Sequence, residues 1–233
     1  MSSSATEPLN TIVRARTGEA GRAWLDKAVA DAAAGQTESL FAAYTTAPKT
    51  TGRELLALSE LESSQLTSFA PGISFAHWTR DDAGRAALLL ALSGRVTGEQ
   101  FVATAVECYE RGASREQQSW LKALPLLPRP ERFLHVAIDA CRTNILPQFE
   151  AIACENPYPA RHFPELNFNQ LVLKAMFNSV FLARIVGLDG RLNTELSRMA
   201  LDYAAERRAA GRSVPPDLGR ALTKEPQTET HIR

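Results

Sequence analysis

Glycines, prolines and capping residues cut the stretch 17–154 into pieces of about 10–17 residues, and inside each piece apolar residues recur at helical spacing. A chain punctuated in this way folds as short helices joined by tight turns. Ala and Leu carry much of its apolar weight, and the β-branched runs of a buried sheet are missing. With 233 residues, 45% of them apolar, it can bury a core without disulfide or metal staples. The expected fold class is all-α.

The first piece, TGEAGRAWLDKAVADAAAG, predicts a helix with Thr17 as N-cap and Trp24, Leu25, Ala28, Val29 and Ala32 on one stripe. Thr37 then caps a second helix with Leu40, Phe41 and Tyr44 inward and Pro48 beyond its end. Asp81 or Asp82 caps the helix that holds the longest apolar run, AALLLAL. Thr97, Ser114 and Pro130 open three more. Two pieces, FVATAVECYERGASREQQSWLKAL and FLHVAIDACRTNILPQFEAIACEN, rhyme at a spacing of about 32–33 residues. That suits a HEAT- or armadillo-like stack of helix hairpins, with an irregular helical bundle as the alternative. Two further helices, about 163–185 and about 189–211, form a closing hairpin. Residues 17–219 are expected to be one domain, with 1–16 and 220–233 disordered.

Several function classes lack support. Formal net charge is zero, against the basic balance of a nucleic-acid-binding protein. Cys108, Cys141 and Cys154 are widely spaced with no C-x-x-C pair, so they read as reduced, buried thiols rather than zinc ligands. The polar opening MSSSATEPLN has no apolar stretch, no window is long and apolar enough for a membrane span, and a cytoplasmic protein is expected. There is no G-x-S-x-G, Walker A, dinucleotide fingerprint or H-E-x-x-H. The expectation is therefore a non-enzyme with no metal and no cofactor. His77 beside Trp78, in ISFAHWTRDD, is one loop with functional character.

The other is ENPYPARHFPELNFNQLVLKAMF, residues 155–177. Pro157, Pro159 and Pro164 push Asn156, Tyr158 and Phe163 towards extended conformations, which predicts a stiff non-helical elbow. On the following helix Leu166, Leu173, Met176, Phe177 and Val180 form the expected apolar face. Asn169 falls within it and needs hydrogen-bond partners, for which Asn156 or connector carbonyls are candidates. Lys174 shares a second stripe with Asn167, Gln170 and Asn178. Arg161, His162 and Lys174 suggest a pocket for an anionic small molecule, with Asn156, Asn169 and Asp202 (the last paired to Arg161 across the hairpin) completing it. The plainer structural reading is an elbow, an amide network and a solvated lysine.

Over residues 156–216, NPYPARHFPELNFNQLVLKAMF followed by GLDGRLNTELSRMALDYAAERRAAGRSVPPDL resembles the signature of the EboA-domain family. The stretch SREQQSWLKALPLLPRPERFLHVAIDACRTN is similar too. Members tend to carry Tyr where this chain has His162. The resemblance implies a bacterial operon, also found in algal plastids, that makes or exports specialised metabolites. Its neighbours encode a UbiA-type prenyltransferase, a TatD-like hydrolase, and isomerase-like and dehydroquinate-synthase-like proteins. It carries no catalytic residues. Helix-pair stacks expose long grooves suited to partners and recognisable catalytic groupings are missing, so a non-catalytic scaffold or binding protein is expected, its partners other proteins of that pathway. The alternative is a small enzyme or carrier for a phosphorylated or prenylated metabolite held around 156–178.

Overall fold

The computed structural model describes residues 5–223. Among them are twelve α-helices and no strand, only an isolated bridge between Leu55 and Thr79. The fold is all-α. The centre is α5, Arg80–Ser93, in which every residue from Asp81 to Leu92 is buried. A helix buried on all sides must be surrounded, and it is: α1 (Thr6–Ala15), α2 (Glu19–Ala33), α3 (Thr37–Thr51), α6 (Gly98–Arg111) and α7 (Ser114–Ala123) all pack on it. This hub is the geometry of the irregular bundle.

The segment expected to be a disordered lead contains α1. Its Leu9, Ile12 and Val13, at i, i+3 and i+4, are buried and supply the helix with its reason to form. The tip is fixed by Arg16, whose guanidinium reaches both carboxylate oxygens of Glu62 (3.0 and 2.7 Å) on α4, Glu60–Thr67. Glu62 also accepts the Ser59 N–H of its own capping box, at 2.8 Å. The Arg16 hydrogen bonds, helped by Ser59, hold the Glu62 carboxyl at about 2 against an ordinary 4.5. Because this pKa is depressed on folding, the clasp contributes fully above about 4.5 and is lost as pH falls towards about 2. Denaturant unfolding at pH 5 and pH 3 is expected to show a stability loss in that window which is smaller in Glu62→Gln. An equal loss in both proteins would refute the assignment.

Thr17 is not the N-cap of α2. Its hydroxyl turns back to the Val13 carbonyl at 3.1 Å, and the helix starts after Gly18. Pro48 lies inside α3, not beyond it. Proline has no N–H to bond the carbonyl four residues back, and that carbonyl, of Tyr44, instead accepts from Arg85 Nε of α5 at 2.8 Å. The N-cap of α5 is Thr79, with Asp81 and Asp82 in its first turn and buried. Thr97 and Ser114 open α6 and α7 as expected, Thr97 accepting from Gln100 N.

The remaining helices are α8 (Leu134–Ala140), α9 (Leu146–Ala153), α10 (Tyr158–His162), α11 (Glu165–Phe177) and α12 (Thr194–Ala209). The proline elbow thus contains a short helix. Pro157 and Pro159 sit at its N-cap and first turn, where missing donors do no harm. The expected helix 163–185 ends at Phe177. Ser179 N bonds Met176 O and Val180 N bonds Ala175 O, with Ser179 left-handed at φ 58°: the hydrogen bonding of a Schellman cap without its usual glycine. The buried face of α11 is Phe168, Asn169, Leu171, Val172, Ala175 and Met176, while Leu166 and Phe177 are exposed. Helix α12 starts at Asn193, which accepts from Leu196 N at 2.7 Å, and residues 188–191 form a 3₁₀ turn. In the expected disordered tail, residues 220–221 close a 3₁₀ turn, and 224–233 lie outside the described residues.

Candidate functional site

The six residues singled out in the sequence do not meet. Arg161 donates to the Pro71 carbonyl at 2.6 Å on the exposed surface. Asp202 pairs with Arg198 of its own helix at 2.6 Å, not with Arg161. Asn169, fully buried, exchanges hydrogen bonds with the Asn193 side chain (3.1 and 3.0 Å). Its partner is thus the N-cap of α12, not Asn156 or the connector. His162 packs against Tyr158 in a tilted arrangement with ring centroids 4.7 Å apart, and burial lowers its pKa.

Lys174 lines a hollow of about 270 Å³ with Phe163, Asn167 and Gln170. Its ammonium donates to the Cys141 and Thr143 carbonyls, both at 2.7 Å, beyond the end of α8. A cation there satisfies carbonyls that no N–H of the helix reaches. Burial lowers the Lys174 pKa. Lys174→Met is expected to cost about 1–3 kcal/mol in denaturant unfolding. A loss under about 0.3 kcal/mol would show that these hydrogen bonds contribute little.

A more enclosed cavity than the open hollow along α4 lies elsewhere, about 400 Å³ between the 73–78 loop, α7 and α9. Backbone pairing builds its frame. Ser74 N bonds Glu155 O at 3.0 Å, and Glu155 N bonds Arg184 O at 2.9 Å. Glu155 is left-handed at φ 53°, a conformation that costs a non-glycine residue free energy and that this double pairing holds in place. Asn156 is the one expected site residue on the lining. Its amide donates to Leu121 O of α7 and Ala151 O of α9, both at 3.0 Å, and its carbonyl accepts from Tyr158 N at 3.0 Å. One buried side chain thus joins both walls to the start of α10.

Ile73, Trp78, Pro147, Ala151 and Cys154 give the lining its apolar part. Burial pushes the Cys154 thiol up to about 12, so it stays protonated and unreactive near neutral pH. Both lining cations are paired. Arg184 grips Glu155 (2.8 and 3.0 Å) and Glu150 (2.5 Å), which raises its pKa further. Lys122 donates to Asp82 at 2.6 Å and to His77 O at 3.0 Å. Burial raises the Asp82 pKa, but the Lys122 charge and hydrogen bonds from Lys122, Ser119 and Thr79 N outweigh it and hold Asp82 ionised. The site therefore offers shaped apolar surface and fixed hydrogen-bonding groups, the makeup of a binding cleft.

Of this lining, the sequence pointed to His77 and Trp78 as a loop and to Asn156. It missed Lys122, Glu150, Glu155 and Arg184. Arg184 was read inside a helix that ends seven residues earlier. Among the described residues no cluster of His, Cys, Asp and Glu has the arrangement to hold a metal ion, and no helix is long and apolar enough to cross a membrane.

A family model described as metabolite traffic protein EboA matches residues 5–223. No curated protein and no solved structure matches significantly.

Proposed function

Because this chain belongs to the EboA family, which is described as handling metabolite traffic, we propose that it is a non-catalytic binding protein carrying a small metabolite in the cleft between α7, α9 and the 73–78 loop. The observation that supports this reading best is the cleft itself. It has about 400 Å³ of space, an apolar body of Ile73, Trp78, Pro147 and Ala151, and polar groups fixed by the ion pairs behind them. Its thiol is held protonated and its carboxylates are occupied by Arg184 and Lys122, which favours holding a molecule over transforming it. In a pathway that makes or exports specialised metabolites, such a protein passes its ligand to other pathway proteins. Exposed Leu166, Phe177 and Phe181 offer apolar surface for that contact.

Gln118 of α7 lines the cleft and is half-buried, so Gln118→Trp fills the space with little disturbance of the core. Native protein purified from its source is expected to release a small molecule on denaturation, detectable by mass spectrometry. Gln118→Trp of unchanged melting temperature is expected to release at least about 10-fold less, the loss of about 1.4 kcal/mol of binding. Equal retention by the two proteins, or no molecule above background with no stabilisation by any compound of a metabolite library, would remove the proposal.

A further inference from the structure

Lys174 carries a positive charge that the described residues do not neutralise. The side chain is half-buried, and its two hydrogen bonds go to the Cys141 and Thr143 carbonyls at 2.7 Å, which carry dipoles but no net charge. Among the described residues no carboxylate pairs with it, and the titratable group that acts on it is the Cys141 thiol. Burial pushes that thiol up to about 12, so it stays neutral near neutral pH and is no counter-ion. A cation partly removed from water without a counter-ion is costly, and an anion from outside the chain would relieve that cost.

The hollow that Lys174 lines has room for one. It holds about 270 Å³ and shares no lining residue with the cleft. Ile138, Phe163 and Leu171 form its apolar wall. Asn167, Gln170 and Lys174, at i, i+3 and i+7 of α11, form the polar wall. Neither amide side chain has a hydrogen-bond partner among the described residues, and each can both give and take. The amides therefore do not choose the ligand's sign; the ammonium does, and it keeps one N–H unspent. Arg142, also on the lining, is paired with Asp139 at 2.6 Å and adds no net charge. One carboxylate matches one uncompensated charge. A phosphate monoester brings nearly two, and the second would find no partner.

We propose that this hollow is a second binding site, separate from the cleft, for a short molecule with one carboxylate head and an apolar body. The carboxylate sits by the Lys174 ammonium and the Asn167 and Gln170 amides, and the body lies against Ile138, Phe163 and Leu171. Of the residues that suggested an anion pocket in the sequence, Lys174 alone lines it. The site stands whatever the cleft holds.

Four probes sharing one chain separate the head groups: hexanoate, hexanamide, hexylammonium and hexyl phosphate, titrated near neutral pH into the isotope-labelled full chain and followed by amide chemical shifts. Hexanoate is expected to move the amides of 138–142 and 165–174 and to bind at least about 5-fold more tightly than each of the others, the effect of one charge pair. Gln170→Glu, at an exposed position, puts a carboxylate one turn from Lys174. It is expected to weaken hexanoate by at least about 5-fold, while Gln118→Trp in the cleft leaves hexanoate affinity unchanged. Any of the other three probes binding as tightly as hexanoate, with shifts at 138–142 and 165–174, would overturn the carboxylate class and leave the hollow as a site. Shifts confined to 73–78 and 147–156, hexanoate affinity unaltered in Gln170→Glu, or no shift with millimolar hexanoate would overturn the second site and leave the cleft reading as it was.

Discussion

Arg85→Met is expected to lower the free energy of unfolding by about 3–5 kcal/mol, the cost of leaving a buried charge without its partner. For a chain of this length that is a drop of about 6–20 °C in melting temperature, at about 2–4 °C per kcal/mol. The argument starts from Pro48, which cannot bond the Tyr44 carbonyl within α3. Arg85 Nε takes that carbonyl at 2.8 Å, while its Nη1 reaches Asp81 at 2.7 Å and Ser119 Oγ at 3.1 Å. The guanidinium also sits 5.5 Å from the Tyr44 ring centroid. At 2% exposure no water replaces these contacts. Met fills much of the volume, so the loss reads the polar network rather than a cavity. Without Arg85, Asp81 retains the Thr79 hydroxyl at 2.6 Å and a distant Arg115 at 3.9 Å. Removing both charges, with Asp81→Leu added, is expected to recover at least about 1 kcal/mol relative to the sum of the single changes. Strict additivity would show that the pair is not coupled.

That network also shows where sequence reading stops. An arginine inside an apolar helical run, with acids three and four residues before it, is a visible sign of a buried ion pair; the carbonyl freed by a proline 37 positions earlier is not. Local capping chemistry was legible: Thr97 and Ser114 mark helix starts because the signal is complete within four residues. The end of α11 was not, because its left-handed residue is Ser179 and no glycine announces it. Missing that break shifted the assignment of Arg184, and with it one wall of the cleft. Helix α1 was readable from Leu9, Ile12 and Val13 but was hidden by the polar residues before it. The cleft draws on residues 73–78, 118–122, 147–156 and 184, and no spacing rule joins positions that only tertiary packing brings together. Arg161, Asn169 and Lys174 stood out because polar residues crowd a proline elbow. Their partners show why they are there: a loop carbonyl, an N-cap asparagine and two carbonyls past a helix end.

Asn156→Asp, nearly isosteric, is expected to destabilise the chain more than Asn156→Ala at pH 8, by about 3 kcal/mol or more in all. The amide does two jobs: it gives two protons, to Leu121 O and Ala151 O, and it takes one from Tyr158 N. Ala removes all three hydrogen bonds and leaves the partners to relax, at about 1–3 kcal/mol. The introduced carboxylate keeps the third but faces two carbonyl oxygens with a negative charge, at a position only 3% exposed. Its neutral form is favoured in the folded state, because a protonated carboxyl can donate to one of those carbonyls. Its folded pKa is therefore raised above the unfolded value of about 3.9. The deficit is full above the folded pKa and shrinks as pH falls towards about 4. Denaturant unfolding from pH 8 to pH 4 is expected to bring Asn156→Asp back towards the unaltered chain, while Asn156→Ala keeps a nearly constant difference from it. The same titration bears on function, since Asn156 joins α7 and α9 at the cleft. Retention of the co-purifying small molecule in Asn156→Asp is expected to fall at pH 8 and recover in parallel with stability. A pH-independent deficit in this variant, or full retention of that molecule at pH 8 beside a large stability loss, would show that Asn156 does not set the distance between the two walls.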